Sequence, residues 1–175
     1  SVLVLGGGVI GLLTVQLAKL AGANVILATR QKSKRDLATR LGAAAVIDPS
    51  KTDIQAEKMN LTQGGADVVM ECAGVPETIE QAPKLARPGG TVVIVGVLAQ
   101  GTKVKYEPFD LLFREIEIRT SFLNPYTHHR AADLIANGRI EIEPLISRRI
   151  SLDEVPEVVA NPAAPGEVKV LVTRV

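Results

Sequence analysis

Residues 1–23 read SVLVLGGGVIGLLTVQLAKLAGA. Ser1 to Leu5 is a short apolar run. It breaks at Gly6-Gly7-Gly8-Val9-Ile10-Gly11, and a helical pattern follows at once. The stretch is strand, glycine turn, helix, with glycines spaced G-x-G-x-x-G, and each glycine has a physical task. Gly6 allows the tight turn. Gly8 has no Cβ, so a pyrophosphate can approach the backbone. Gly11 lets the helix pack close to the strand. The free N–H groups and positive dipole end of the new helix then face the phosphates. A lone motif of this kind is weak evidence. A strand before it, a helix after it and a second strand following give it meaning. The whole turn, Val9 and Ile10 included, is therefore a candidate dinucleotide site.

Further along, strands and helices alternate. Val25 to Ala28, Ala45 to Ile47, Asp67 to Glu71 and Thr91 to Val95 read as strands two to five. Helices are expected over residues 34–41, from Asp48-Pro49-Ser50 to about Leu61, and over 76–86. Thr62-Gln63-Gly64-Gly65 reads as a loop and Arg87-Pro88-Gly89-Gly90 as a sharp turn. Residues 102–106 alternate as a short edge strand would, and Pro108 to Phe113 reads as a helical turn. Glu115 to Phe122 reads as the sixth strand. A helix over 127–137, an irregular or extended stretch over 140–150, a capping box at Ser151 and Glu154, and a last strand at 168–172 complete the chain. Two βαβαβ halves with right-handed crossovers give a three-layer α/β/α, doubly wound parallel sheet of six strands, the Rossmann fold, in the order 3-2-1-4-5-6. A C-terminal helix–strand appendage follows. The order reverses between the first and fourth strands, so a ligand is expected beyond their C-terminal ends.

Composition agrees. The chain has 175 residues, enough for one domain or one domain with an appendage. Its apolar residues are mostly Val, Ile, Leu and Ala, which suits a sheet buried on both faces. A net charge of +1 argues against a nucleic-acid surface or a polybasic membrane anchor. One cysteine, Cys72, excludes an internal disulfide framework and a cysteine-based zinc cluster within these residues. The apolar stretches are too short or too glycine-rich to span a bilayer, and no signal peptide is visible. A soluble, cytoplasmic protein is expected. The start inside a strand suggests a piece cut at a domain boundary.

The loop after the second strand bears on which dinucleotide. An NAD site usually carries an acid there for the ribose hydroxyls, and that acid would repel a 2′-phosphate. Here the sequence is Ala28-Thr29-Arg30-Gln31-Lys32-Ser33-Lys34-Arg35, with no acid until Asp36. Thr29 can donate a hydrogen bond, Arg30 can fork onto a phosphate, and Lys34 and Arg35 add charge nearby. The expectation is NADP(H), with NAD(H) as the alternative.

Several segments together resemble the zinc-type medium-chain dehydrogenases: the alcohol, polyol and threonine dehydrogenases. They are GGGVIG after VLVL, GADVVMECAG (65–74), RPGGTVVIVGV (87–97), REIEIRTSF (114–122) and GEVKVLV (166–172). The resemblance covers essentially the whole chain. It implies an oxidoreductase passing a hydride between an alcohol or polyol and NADP(H). It places Thr29 where NAD-using relatives carry aspartate, and Lys34 on the adenosine ribose or its phosphate. Cys72 and Ala73 would lie beside the ribose and pyrophosphate, and Val95-Gly96-Val97 against the nicotinamide. Ser121-Phe122-Leu123 would reach its carboxamide, and Lys169 the pyrophosphate. The resemblance also implies a division. Residues 1–124 would be the dinucleotide-binding domain. Residues 125–175 would pack on or complete a preceding catalytic domain, which supplies the zinc ligands. No catalytic or metal-ligating residue is then expected in this chain, which alone would bind cofactor without turnover. The family's dimers suggest a homodimer through edge strands 102–106 and 115–122.

Single residues with other readings are Cys72, an inert buried thiol rather than a nucleophile, and His128-His129, adjacent on a helix and a poor chelate. Glu71 reads as a strand-end residue and Asp48 as a helix cap. Two rival functions remain. One is a non-catalytic NADP(H)-binding module or sensor. The other is an S-adenosylmethionine-dependent methyltransferase, disfavoured by the missing acid after the second strand.

Overall fold

A computed structural model of the chain describes residues 1–62, 64–161 and 163–174. Strand β1 (Val2–Leu5) leads through the glycine turn into helix α1 (Val9–Leu20). Strand β2 (Val25–Ala28), helix α2 (Lys32–Arg40) and strand β3 (Ala45–Ile47) complete the first half. The second half runs α3 (Ile54–Thr62), β4 (Ala66–Glu71), α4 (Pro76–Leu85), β5 (Ala86–Ile94), α5 (Pro108–Phe113) and β6 (Glu117–Thr120). All the pairings are parallel, and the order is β3-β2-β1-β4-β5-β6, as the sequence predicts.

Alternation along the central strands explains the three layers. Leu3, Leu5, Ile26 and Ala28 share a cluster with Ala82 and Leu85 of α4. Their neighbours Val4, Val25 and Leu27 join Leu12 and Val15 of α1 and Ala38 of α2 on the other face. Helices cover both faces, so β1 and β2 carry no polar side chain.

Three expectations need correction. Asp48-Pro49-Ser50 does not start a helix. Asp48 Oδ1 accepts from the Ser50 amide and hydroxyl, and α3 begins only at Ile54, where Asp53 Oδ1 accepts the Gln55 N–H at 2.8 Å. Residues 102–106 form no strand. The Lys105 N–H goes to Glu80 Oε1 at 2.8 Å rather than to a ladder, and the alternation reflects only half-buried Val104 and Tyr106. The sixth strand is also shorter than expected: it ends at Thr120 and begins only at Glu117, after a positive φ of 52° at Glu115. The turn at residues 87–90 is real, but it forms a bulge within β5, where the register shifts between the Ala66–Ala86 and Val68–Thr91 pairs. Pro83 does not break α4. Arg114 Nη2 donates to Pro83 O at 2.6 Å and to Ala86 O at 3.0 Å, supplying positive charge at the end of the helix.

Beyond the sheet lie α6 (His128–Ala136), β7 (Ile146–Ile150), α7 (Val155–Ala160) and β8 (Lys169–Val172). β7 and β8 form a separate parallel pair. The capping box at Ser151 and Glu154 is present. Buried Gln16 of α1 ties this segment to the core: its amide donates to Glu141 O at 2.9 Å and accepts from Glu141 N at 2.7 Å.

Candidate functional site

The loops leaving the C-terminal ends of β2, β1, β4 and β5 touch one another in sheet order. A Cβ built on Gly7 would lie 2.9 Å from Thr29 Oγ1. One on Gly6, whose φ is +105°, would lie 2.9 Å from the Ala73 nitrogen, and one on Gly74 2.9 Å from the Val97 carbonyl oxygen. The Ser121 N–H extends the row by donating to Ile94 O at 2.9 Å. The glycine turn, Thr29, Cys72-Ala73, Val95-Gly96-Val97 and Ser121 thus line one continuous edge, at the point where the strand order reverses.

The start of α1 is the centre of this edge. Its N-cap is Gly8, no side chain caps it, and its first turn carries no acid. A Cβ added to Gly8 would meet nothing within 4 Å, whereas one added to Gly11 would overlap the Gly6 carbonyl. Gly11 therefore serves the fold, and Gly8 keeps space open above the helix start. Uncapped N–H groups, a positive dipole end and that space fit a pyrophosphate.

At the β2 end, Thr29 is buried and its amide is held by Ile47 O at 3.0 Å. Arg30 is exposed and Lys34 half-buried, and neither makes an ion pair among the described residues. Arg35 departs from expectation. Its Nη1 donates to the carbonyls of Thr29 and Arg30, both at 2.7 Å, and its Nη2 pairs with Asp48 at 2.9 Å. The Ser50 hydrogen bonds, with smaller help from the Arg35 and Lys51 charges, hold the Asp48 carboxyl below its usual range. Arg35 therefore braces the loop rather than offering free charge. Its backbone targets lie too close in sequence for residue spacing to reveal them.

On the far side, the Cys72 thiol lies 3.8 Å from Thr14 Oγ1, and burial pushes its pKa up to about 11. That is an inert thiol. Ile10, Val97, Phe122 and Leu123 are large apolar side chains left exposed at or beyond the cleft, at 48%, 74%, 73% and 76%. Lys169 is exposed at the start of β8, outside the six-stranded sheet, and a Cβ built on Gly166, three residues earlier, would lie 3.0 Å from Ser33 Oγ at the start of α2. Glu71 closes β4, as its strand-end reading predicts, and it is also fully buried between the loops that follow β4 and β5. The sequence signal is an acid directly after the apolar run Val68-Val69-Met70. Among the described residues no three His, Cys, Asp or Glu side chains come together to hold a metal ion, so these residues do not fit a zinc site. His128 instead meets Asn124 at 2.7 Å.

The fold and the helix start define a doubly wound α/β domain with a phosphate-type cradle at its switch point. Comparison with known proteins is consistent with this. The profile of the zinc-binding dehydrogenases matches residues 9–137. A presumed D-xylulose reductase of Rhizobium meliloti strain 1021 is 38% identical over 157 residues, covering 86% of this chain and 44% of that protein. The (R,R)-butanediol dehydrogenase of Neisseria gonorrhoeae is 32% identical over 154 residues, covering 87% of this chain and 43% of that protein. Among solved structures, a presumed zinc-binding dehydrogenase from Sinorhizobium meliloti 1021, bound to NADP, superposes with a TM-score of 0.96. It is 62% identical, and the match covers 99% of this chain and 52% of that one. The chain belongs to the zinc-binding dehydrogenase family. It spans less than half the length of these curated relatives.

Proposed function

We propose that the chain is the NADP(H)-binding portion of an alcohol or polyol dehydrogenase. The observation that carries this is the start of α1, uncapped, free of acids and open above Gly8. Bound there, the cofactor supplies the acceptor or donor for hydride exchange with the substrate. This chain's residues bind and orient it. Gly6, Gly8, Val9, Ile10 and Gly11 cradle the pyrophosphate. Thr29, Arg30 and Lys34 take the adenosine ribose and its 2′-phosphate, on a loop braced by Arg35. Cys72 and Ala73 lie beside the ribose and pyrophosphate, and residues 95–97 and 121–123 flank the nicotinamide, whose ring would cover apolar surface exposed at Val97 and Phe122. Lys169 completes the site at the pyrophosphate. The NADP bound to the 62%-identical relative supports the same choice of cofactor.

The reading includes a division near residue 124, with the later segment packing on a catalytic domain that holds the zinc. It also includes a cytoplasmic setting and a homodimer built on the exposed edge of β6 alone, because residues 102–106 are not a strand. Titrating the 175-residue chain with NADPH, NADH and S-adenosylmethionine tests the core of it. NADPH is expected to bind tightest. Saturable binding of S-adenosylmethionine with none of NADPH would overturn the reading.

A further inference from the structure

Glu71 closes β4 and is fully buried. Its Oε1 accepts the N–H groups of Ala73 and Gly74, each at 2.9 Å, and the Thr78 hydroxyl at 2.7 Å. Its main-chain carbonyl accepts the N–H groups of Val95 and Gly96, both at 2.9 Å. Its Oε2 is buried without a hydrogen-bond partner. That oxygen faces the second loop: a Cβ built on Gly96 would lie 2.5 Å from it. The Glu71 side chain therefore holds the loop after β4 through Oε1 and packs Oε2 against Gly96 of the loop after β5, whose first two N–H groups its main-chain carbonyl also accepts. A buried carboxylate is costly unless it is hydrogen-bonded, and charge-assisted bonds are the stronger kind. The strand could have ended in an apolar residue, as β5 does at Ile94.

We propose that Glu71 is a positioning residue that sets the separation of loops 72–74 and 95–97, and so the fit of the nicotinamide half of the dinucleotide. The ligand part of this rests on the cofactor reading above. The coupling of the two loops does not.

Two measurements on the 175-residue chain test it. In the first, Glu71→Ala and Glu71→Gln are titrated with NADPH and with adenosine 2′,5′-bisphosphate, which lacks the nicotinamide half. Glu71→Ala is expected to weaken NADPH about tenfold or more and the bisphosphate by less than about twofold. Glu71→Gln, which keeps an acceptor oxygen, is expected to recover most of the NADPH affinity. Equal losses for both ligands would overturn the proposal in favour of general loosening. The second measurement needs no ligand. Amide hydrogen exchange in Glu71→Ala should rise about tenfold in residues 72–78 and 95–97 together, with β1 and β2 unchanged. A rise confined to 72–78 would overturn the coupling. Coupled exchange in a chain that binds no dinucleotide would uphold it and overturn the cofactor reading instead. If Glu71→Ala does not fold, Glu71→Asp, which draws the carboxylate back by one methylene without touching either loop's own residues, is read by the same two outcomes.

Discussion

β2 and β8 are both four-residue strands rich in Val, Ile and Leu, and they end in opposite surroundings. Every residue of VILA is buried, whereas KVLV buries none fully. The contrast extends to their neighbours. α1 buries Leu12, Val15 and Gln16, while α6 and α7 bury no residue. Leu152 and Val159 stand 75% and 79% exposed. An apolar groove of about 370 Å³ opens between α1 and α6, lined by Leu13, Leu17, Leu134, Ile135, Ile140 and Ile142. Apolar residues alone do not make a core; a strand also needs an element laid across each face. The sheet has its helices within the chain. In the segment after residue 124, many apolar faces meet no partner among the described residues. This supports the proposed division into a cofactor domain and a later segment suited to further packing.

The sharpest way to break that comparison is a matched pair of truncations. Leu27→Ala, at a fully buried site, should lower stability by about 3 kcal/mol in chemical denaturation. Val159→Ala should change it by less than about 0.5 kcal/mol. Comparable losses would mean that the later segment is as well packed as the sheet.

A smaller effect separates fold from function inside one turn. Gly11→Ala should cost about 2 kcal/mol, since its Cβ overlaps the Gly6 carbonyl. Gly8→Ala has an ordinary backbone angle, φ −74°, and open space around it. It should leave stability within about 0.5 kcal/mol and lower NADPH affinity about tenfold, by placing a methyl where the pyrophosphate approaches. A stable, fully binding Gly8→Ala chain would contradict the cradle.

The smallest effect is alkaline. Burial, against a weaker opposing hydrogen bond from Thr14, pushes the Cys72 thiol from 9.0 up to about 11. Its neutral form is favoured in the folded state, so the contribution is intact below pH 9.0 and lost as pH rises toward 11. Denaturation across that range should show a decline that Cys72→Ala makes shallower, the rest coming from Tyr106, whose phenol pKa is also pushed up by burial. The same slope in both chains would place its origin elsewhere.

Much of this was legible from sequence, for identifiable reasons. Strands with packing on both faces are unbroken apolar runs, so β2, fully buried, and β3, partly buried, are readable to the residue. The glycine turn was readable because its spacing carries its own mechanism. The misreadings came where a side chain serves a distant partner. Asp48 imitates a cap, but it is claimed by Ser50 and Arg35, and Asp53 caps α3 instead. Residues 102–106 alternate like a strand, but an α4 carboxylate takes their amide. Arg35 looked like one cation among several, and only the fold turns it back onto the carbonyls of its own loop. Glu71 carried no periodic signal at all. Its importance comes from the loop after β5, two dozen residues away in sequence.

The central claim is that this cleft takes a dinucleotide with a 2′-phosphate. The direct measurement is the ratio of NADH to NADPH dissociation constants, by calorimetry, for the unaltered chain and for Thr29→Asp/Arg30→Ile. The unaltered chain should bind NADPH about tenfold or more tighter, and the double variant should reverse the preference. An unaltered chain that binds NADH as tightly as NADPH, or a ratio unmoved by the substitutions, would contradict the account.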